Sequence, residues 1–169
     1  MTIRKATTED APAIVALIEK IHIKNLDDLT GGFLTSPDVN VKNYLDLISR
    51  RPFCYVAEVG GVIAGFIMAD PFGPRWKKNY DYYIKLFSHK GFVFIERVGI
   101  LPEYRHKGFG KALYERLFED SHEKLFVACV SKNPRNTSSE IFHQNLGFKK
   151  VDEHVWDDGS ESFVYALQI

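Results

Sequence analysis

The spacing of apolar and polar residues along the chain predicts alternating strands and helices. Residues 2–6 read as a short strand. From Thr7 to Ile21, the residues Ile14, Leu17, Ile18 and Ile21 fall on one helical face, and Thr7 with Asp10 three residues on is a start signal. Residues 25–38 are polar and carry Gly31, Gly32 and Pro37, which predicts a loop. Asn40 caps a second helix with Val41, Tyr44, Leu45 and Ile48 on one side. Residues 53–70 are two β-rich runs joined at Gly60-Gly61, the pattern of a hairpin. The pattern breaks over 71–90, where Pro71, Gly73 and Pro74 precede a cluster of aromatic and charged residues. A connection of that length inside a compact domain is usually functional or mobile.

A strand over 92–100 resumes the pattern and a glycine turn follows it. A helix then runs from Phe109 to Asp120 with Phe109, Ala112, Leu113 and Leu117 on its apolar side. Residues 124–130 read as a strand, 138–148 as a short helix ended by Gly147, and two last strands flank Asp158-Gly159. Local hairpins combined with two strand–helix–strand crossovers predict an α/β fold on a mixed sheet. No repeat, low-complexity tract or linker divides the 169 residues, so the simplest organisation is one domain, 1–169.

Charge narrows the function classes. Lys plus Arg and Asp plus Glu both number 22, so no global basic field exists to hold nucleic acid or an anionic membrane. No apolar run approaches the ~20 residues that span a bilayer, and the first ten residues lack the apolar core of a signal peptide. Cys54 and Cys129 lie in strand-like runs without a CxxC partner and read as small buried hydrophobes of a reducing compartment. A cytoplasmic location is therefore expected. His22, His89, His106, His122 and His154 have no metal-ligand spacing, so no metal site is expected.

The densest basic site is Arg105 to Lys111, within "RHKGFGKAL". Strand, glycine turn and helix is the context in which backbone amides and the helix dipole hold a phosphate. Gly108 and Gly110 let the backbone approach an anion, while Arg105, His106 and Lys107 bring charge to the rim. The spacing fits neither a P-loop, since Ala112 follows Gly110-Lys111, nor a dinucleotide fingerprint, since position 113 is Leu. A turn that only starts a helix is the other reading of these residues.

Three segments resemble the GNAT superfamily of N-acetyltransferases. "RHKGFG" is similar to its Arg/Gln-x-x-Gly-x-Gly/Ala loop, "IERVGILPEYR" to its fourth strand, and "NTSSEIFHQNLGF" to its Asn-x-x-(Ala/Ser)-…-Leu-Gly-Phe segment. The resemblance implies a GNAT-like α/β fold. Its central mixed, mostly antiparallel sheet has six to seven strands, is flanked by about four helices, and splays between strands 4 and 5. It implies acetyl-CoA as co-substrate, with its pantetheine arm on the backbone of Val98, Gly99 and Ile100. The pyrophosphate would rest on the amides of Arg105, His106, Lys107, Gly108, Phe109 and Gly110, beside Lys111. Asn136 aligns with an Asn that hydrogen-bonds the same arm.

Acetyl transfer to an amine needs a proton acceptor, donors for the thioester oxygen and a proton for the departing thiolate. Glu96, nine residues before Arg105, stands where many family members carry a catalytic glutamate. Its other reading is a solvent-facing carboxylate paired with a neighbouring cation. Seven residues after Asn136 the family usually has Tyr; here it is His143, which by resemblance would protonate the thiolate. Its other reading is a half-buried His that holds its helix in place, with Tyr83, Tyr104 and Tyr114 as other donors.

For the acceptor, Asp27, Asp28, Asp70, Asp157 and Asp158 would draw a cationic amine, and Trp76, Tyr80, Tyr82 and Trp156 would pack on it. Arg75, Lys77, Lys78 and Lys85 would instead suit a substrate with its own carboxylate or phosphate. A small-molecule or amino-acid-like amine is the expected acceptor. Acetylation of a protein N-terminus or lysine, and a noncatalytic acyl-CoA-binding module, are the alternatives. A homodimer is implied by the resemblance alone.

Overall fold

Seven strands lie side by side in one sheet in the computed structural model, which describes residues 1–25, 32, 39–73, 80–88 and 91–169. The strands are β1 (Thr2–Lys5), β2 (Phe53–Val59), β3 (Val62–Pro71), β4 (Val93–Ile100), β5 (Leu125–Ser131), β6 (Lys149–Val155) and β7 (Glu161–Gln168). The described helices are α1 (Ala11–Lys20), α2 (Val41–Arg50), α3 (Tyr80–Leu86), α4 (Phe109–Asp120) and α5 (Thr137–Asn145). The sheet order is β1-β2-β3-β4-β5-β7-β6. Every neighbouring pair is antiparallel except β4 and β5, which are parallel and joined through α4. The mixed sheet expected from the element order is the one observed.

Side-chain alternation sorts the sheet into two faces. Tyr55, Ala57, Ile67, Ile95, Phe126 and Ala128 point to the face covered by Leu113, Tyr114 and Leu117 of α4. Their neighbours Cys54, Val56, Phe66 and Met68 point to the other face, under Ile14, Leu17 and Ile18 of α1 and Tyr44 and Ile48 of α2. Further along that second face, Phe94, Val127 and Val164 meet Tyr83 of α3 and Phe92 in a separate cluster. The second face therefore carries two apolar clusters, one under α1 and α2 and the other under α3.

The start signals act as their chemistry suggests. Asn40 Oδ1 accepts the Asn43 N–H at 2.9 Å, and Asp10 Oδ2 accepts the Thr7 N–H at 2.8 Å. The first helix begins later than its apolar spacing predicts, because residues Thr8–Asp10 form a turn of 3-10 helix before α1. Helix α3 corrects the reading of 71–90 as a plain connection. Seven residues carry no sustained helical period, and α3 is held from outside by aromatic packing, with Tyr83 against Phe72, Phe92 and Phe94 at centroid distances of 5.3, 5.7 and 5.6 Å.

Gly110 has a packing use besides the one its place in the loop suggests. A Cβ there would lie 2.9 Å from two ring carbons of Phe142, so the missing side chain lets α4 close on α5. Gly110→Ala, which at an exposed helical site would gain about 1 kcal/mol, should instead cost about 1 kcal/mol or more through overpacking. Urea unfolding checks this, and Phe142→Leu in the same chain should recover part of the loss.

Candidate functional site

Hydrogen-bonded pairing between β4 and β5 covers Val93↔Phe126, Phe94↔Val127 and Ile95↔Ala128, and then ends. On the other side of β4 the register passes from Ile95↔Ala69 to Arg97↔Met68, so Glu96 is an extra residue, a β-bulge. The bulge resets the alternation, and Ile95 and Val98 both reach the cluster under α4. Where the strands part, a cleft of about 240 Å³ opens. Glu96, Arg97 and Val98 line one wall and Cys129 and Ser131 the other, with Asn136 and His143 at the α5 end. Beyond Ile95 the β4 edge facing the cleft has no β5 partner, which leaves backbone groups for an added extended chain.

Glu96 is half-buried and sits between two guanidinium groups. Its Oε1 lies 3.5 Å from Arg97 Nε, and its Oε2 is against Arg51 Nη1, which also contacts Asp70 Oδ2. The Arg51–Glu96 contact is an ion pair without an aligned hydrogen bond. Both Glu96 Oε2 and Arg51 Nε are buried atoms without a hydrogen-bond partner among the described residues. Arg97 donates from Nη1 to the Tyr44 hydroxyl and lies over the Tyr44 ring at 5.5 Å. Thus Glu96 lines the cleft, as a base must, and is also paired with cations, as its other reading holds.

The two arginines were not singled out from the sequence. Arg51 is far from Glu96 along the chain, and adjacent strand residues such as Glu96 and Arg97 normally face opposite sides. Asp70, expected to draw a cationic acceptor, is 1% exposed and serves Arg51 instead.

His143 is 3% exposed. Its Nδ1 lies 2.7 Å from the Ser139 carbonyl oxygen, which only accepts, so Nδ1 carries the proton. Its Nε2 therefore accepts the Tyr114 hydroxyl at 2.7 Å. Burial lowers the His143 pKa to about 4, and burial likewise raises that of the Tyr114 phenol. The ring is neutral, with both nitrogens occupied. Asn136 caps α5 by accepting the Ser139 N–H at 3.0 Å, and its Nδ2 donates to the Gly32 carbonyl at 3.1 Å.

The glycine loop lies past the end of β4. Gly99 is buried, where a Cβ would come within 2.7 Å of Ile21 and 2.9 Å of Phe66, while Ile100 packs under α4. After a 3-10 turn at Pro102–Tyr104, Arg105 folds back so that its Nε donates to the Ile100 carbonyl at 3.3 Å. His106 and Gly108 take positive φ of 59° and 85°, and Gly108 precedes Phe109 at the start of α4. No atom comes within 4 Å of a Cβ placed on Gly108, and His106, Lys107, Gly108 and Lys111 are exposed. The first N–H groups of a helix lack internal acceptors, so this turn presents donors and cations to solvent. Such a cradle fits a pyrophosphate.

Other candidates fall elsewhere. Tyr82 and Trp156 pack with His154 and with the cluster under α3, and the Tyr82 hydroxyl donates to Asp152 at 2.9 Å. Asp158 accepts the Ser160 N–H in its turn at 2.9 Å. Asp27, Asp28, Arg75, Trp76, Lys77, Lys78 and the Tyr80 side chain lie outside the described residues. Burial pushes the Cys129 thiol up to about 12, and the Tyr83 hydroxyl lies 3.2 Å from its Sγ. Among the described residues no cluster of three or more His, Cys, Asp or Glu side chains would hold a metal, and no helix is long and apolar enough to cross a membrane.

Comparison with known proteins bears on this cleft. The model of the acetyltransferase (GNAT) family matches residues 18–148. No curated protein sequence matches the chain. Among solved structures, yncA of Salmonella typhimurium, described with its cofactor acetyl-CoA, is 22% identical with a TM-score of 0.69, over 99% of this chain and 93% of that one. The ribosomal-protein-S18-alanine N-acetyltransferase of Escherichia coli is 18% identical with a TM-score of 0.68, over 99% and 93%. A polyamine N-acetyltransferase of Drosophila melanogaster that forms N-acetylagmatine is 16% identical with a TM-score of 0.67, over 99% of both chains.

Two stability measurements probe the charges at the cleft. Arg51→Met leaves Asp70 and Glu96 without their shared cation, and loss of one partner from a buried pair should cost about 3 kcal/mol in urea unfolding. For His143, the folded pKa lies below the unfolded 6.5, so the unfolded chain takes up this proton first as pH falls. Its contribution is complete above pH 6.5 and is lost between 6.5 and about 4. That loss amounts to about 3 kcal/mol at roughly 1.4 kcal/mol per pKa unit. Across this window the unfolding free energy of His143→Gln should fall less steeply than that of the parent.

Proposed function

Because the chain belongs to the GNAT acetyltransferase family, we propose that it moves the acetyl group of acetyl-CoA to a primary amine of a small molecule by direct attack in a ternary complex. The observation that supports this most is the parallel pair β4–β5, which parts after Ile95↔Ala128 beside the open β4 edge and upstream of the glycine turn. In this reading the pantetheine arm runs along Val98, Gly99 and Ile100, near Asn136. The pyrophosphate rests on the turn from Arg105 to Lys111, and the thioester reaches the cleft.

Glu96 accepts the proton that the ammonium must shed. The amine nitrogen then bonds to the thioester carbonyl carbon, the carbon–sulfur bond breaks, and the proton that the nitrogen gives up on becoming an amide passes to the thiolate, so coenzyme A ends as the thiol. Residues 1–169 act as one domain; the cytoplasmic location rests on the unpaired, buried-type cysteines, and the homodimer is carried over from the family resemblance alone. His143 has two roles open to it. As proton donor to the thiolate it would have to release the Ser139 carbonyl; its two occupied nitrogens favour the other role, holding α4 against α5 through Tyr114.

Acetyl-CoA and CoA, but not ATP, should raise the thermal midpoint by binding the native state. No rise with either would remove the basis of the reading. Gly108→Asp, which adds bulk and like charge at the phosphates, should abolish that rise. Glu96→Gln should lower kcat/KM for thiol release about 10²- to 10⁴-fold; a loss below about threefold would point to a noncatalytic or differently catalysed role for this carboxylate. His143→Gln should lower kcat by less than about tenfold if the residue is a support, and by about 10² or more if it is the donor.

A further inference from the structure

We propose that the acceptor carries a carboxylate close to its amine, as a free α-amino acid does, and that Arg97 is the residue that reads it. The inference rests on the acetyltransferase reading above and narrows its acceptor. It starts from the charges that line the cleft. Among the described residues these are Glu96, Arg97 and Arg135, one carboxylate against two guanidinium groups. Arg135 is committed to Glu140, with contacts of 2.7 and 3.2 Å. Arg97 is committed to Glu96 only loosely, at 3.5 Å, and its side chain is 14% exposed.

An ammonium that needs Glu96 must displace a guanidinium from it. Glu96 Oε2 is buried against Arg51 Nη1, so the ammonium takes Oε1, which Arg97 Nε approaches only to 3.5 Å. The displaced Arg97 would then stand largely buried without an anion, which is costly. A zwitterionic acceptor removes that cost. Its ammonium pairs with Glu96 and its carboxylate pairs with Arg97, one ion pair exchanging for two, and every charge keeps a partner. The planar guanidinium also matches a carboxylate in geometry. Tyr44, which receives the Arg97 Nη1 proton and lies under its guanidinium, fixes the direction in which Arg97 points.

Other acceptors lack this complement. A polyamine brings further cations to a cleft lined by Arg97 and Arg135. A peptide N-terminus brings the ammonium but replaces the adjacent carboxylate by a neutral amide.

The test follows thiol release under saturating acetyl-CoA for a panel of α-amino acids, each beside its carboxamide and its decarboxylated amine, with agmatine and a short peptide added. For the best amino acid, kcat/KM should exceed that of its carboxamide at least about tenfold, the scale of a charge-assisted hydrogen bond. Arg97→Met and Arg97→Lys should both shrink that ratio, Lys less than Met, with circular dichroism confirming that each variant is folded. The inference is overturned if carboxamides, amines or the peptide react as well as the free acids, or if the preference survives Arg97→Met. It is also overturned if acetyl-CoA stabilises the protein and no free amino acid releases thiol. Absence of stabilisation by acetyl-CoA and by CoA would instead overturn the acetyltransferase reading itself.

Discussion

Backbone hydrogen bonds join β4 to β5 over Val93–Ile95 and then stop, and each feature of the cleft depends on how the strands are held apart beyond that point. Parallel strands normally continue as a buried, fully paired ladder. Here the bulge at Glu96 turns β4 one residue out of phase, so its second half keeps pairing with β3 while its other edge is released. The two apolar clusters of the opposite face meet this region from its two sides. Asp70 lies two residues beyond Met68 of one cluster and opposite Phe94 of the other. A gap in a sheet has to be bordered by groups that tolerate partial hydration, and charged side chains occupy it.

Those charges are balanced locally. Arg51 serves Asp70 and Glu96, and Arg97 serves Glu96 and Tyr44. Burial makes each of these groups dependent on its neighbours, so a ligand can enter only by exchanging partners and not by adding a charge. In the proposed acetyl transfer, this arrangement would select acceptors through electrostatics before any shape is considered. The contrast with His143 is instructive. There the cleft is bordered by a neutral ring whose two nitrogens are satisfied by Tyr114 and Ser139, so His143 itself brings no charge to the cleft.

Glycine has three separate jobs near this cleft. Gly108 supplies a positive φ with open space around it, Gly99 lets α1 approach the sheet, and Gly110 lets α5 approach α4. The first belongs to the proposed anion site, and Gly110 would serve there as well through its amide. The other two set how closely the helices flank the parted strands, so packing and the proposed phosphate cradle share one short stretch of chain.

By itself the sequence determined the element order apart from α3, the mixed sheet, the helix caps at Asn40 and Gly147 and the glycine turn, because these rest on local periodicity and on single-residue conformational preference. The resemblance of three segments pointed to the family for the same reason, since each is a contiguous run. Helix α3 was not legible, because seven residues are held by Phe72, Phe92 and Phe94 from other parts of the chain. The direction of Glu96 was not legible either, because alternation along a strand fails at a bulge, and a bulge is defined by register against β3. The cations on Glu96, the service of Asp70 to Arg51 and the neutrality of His143 were decided only by the tertiary structure. Each depends on which distant residue stands within a few ångströms and on how far water is excluded, and neither is encoded in any local stretch.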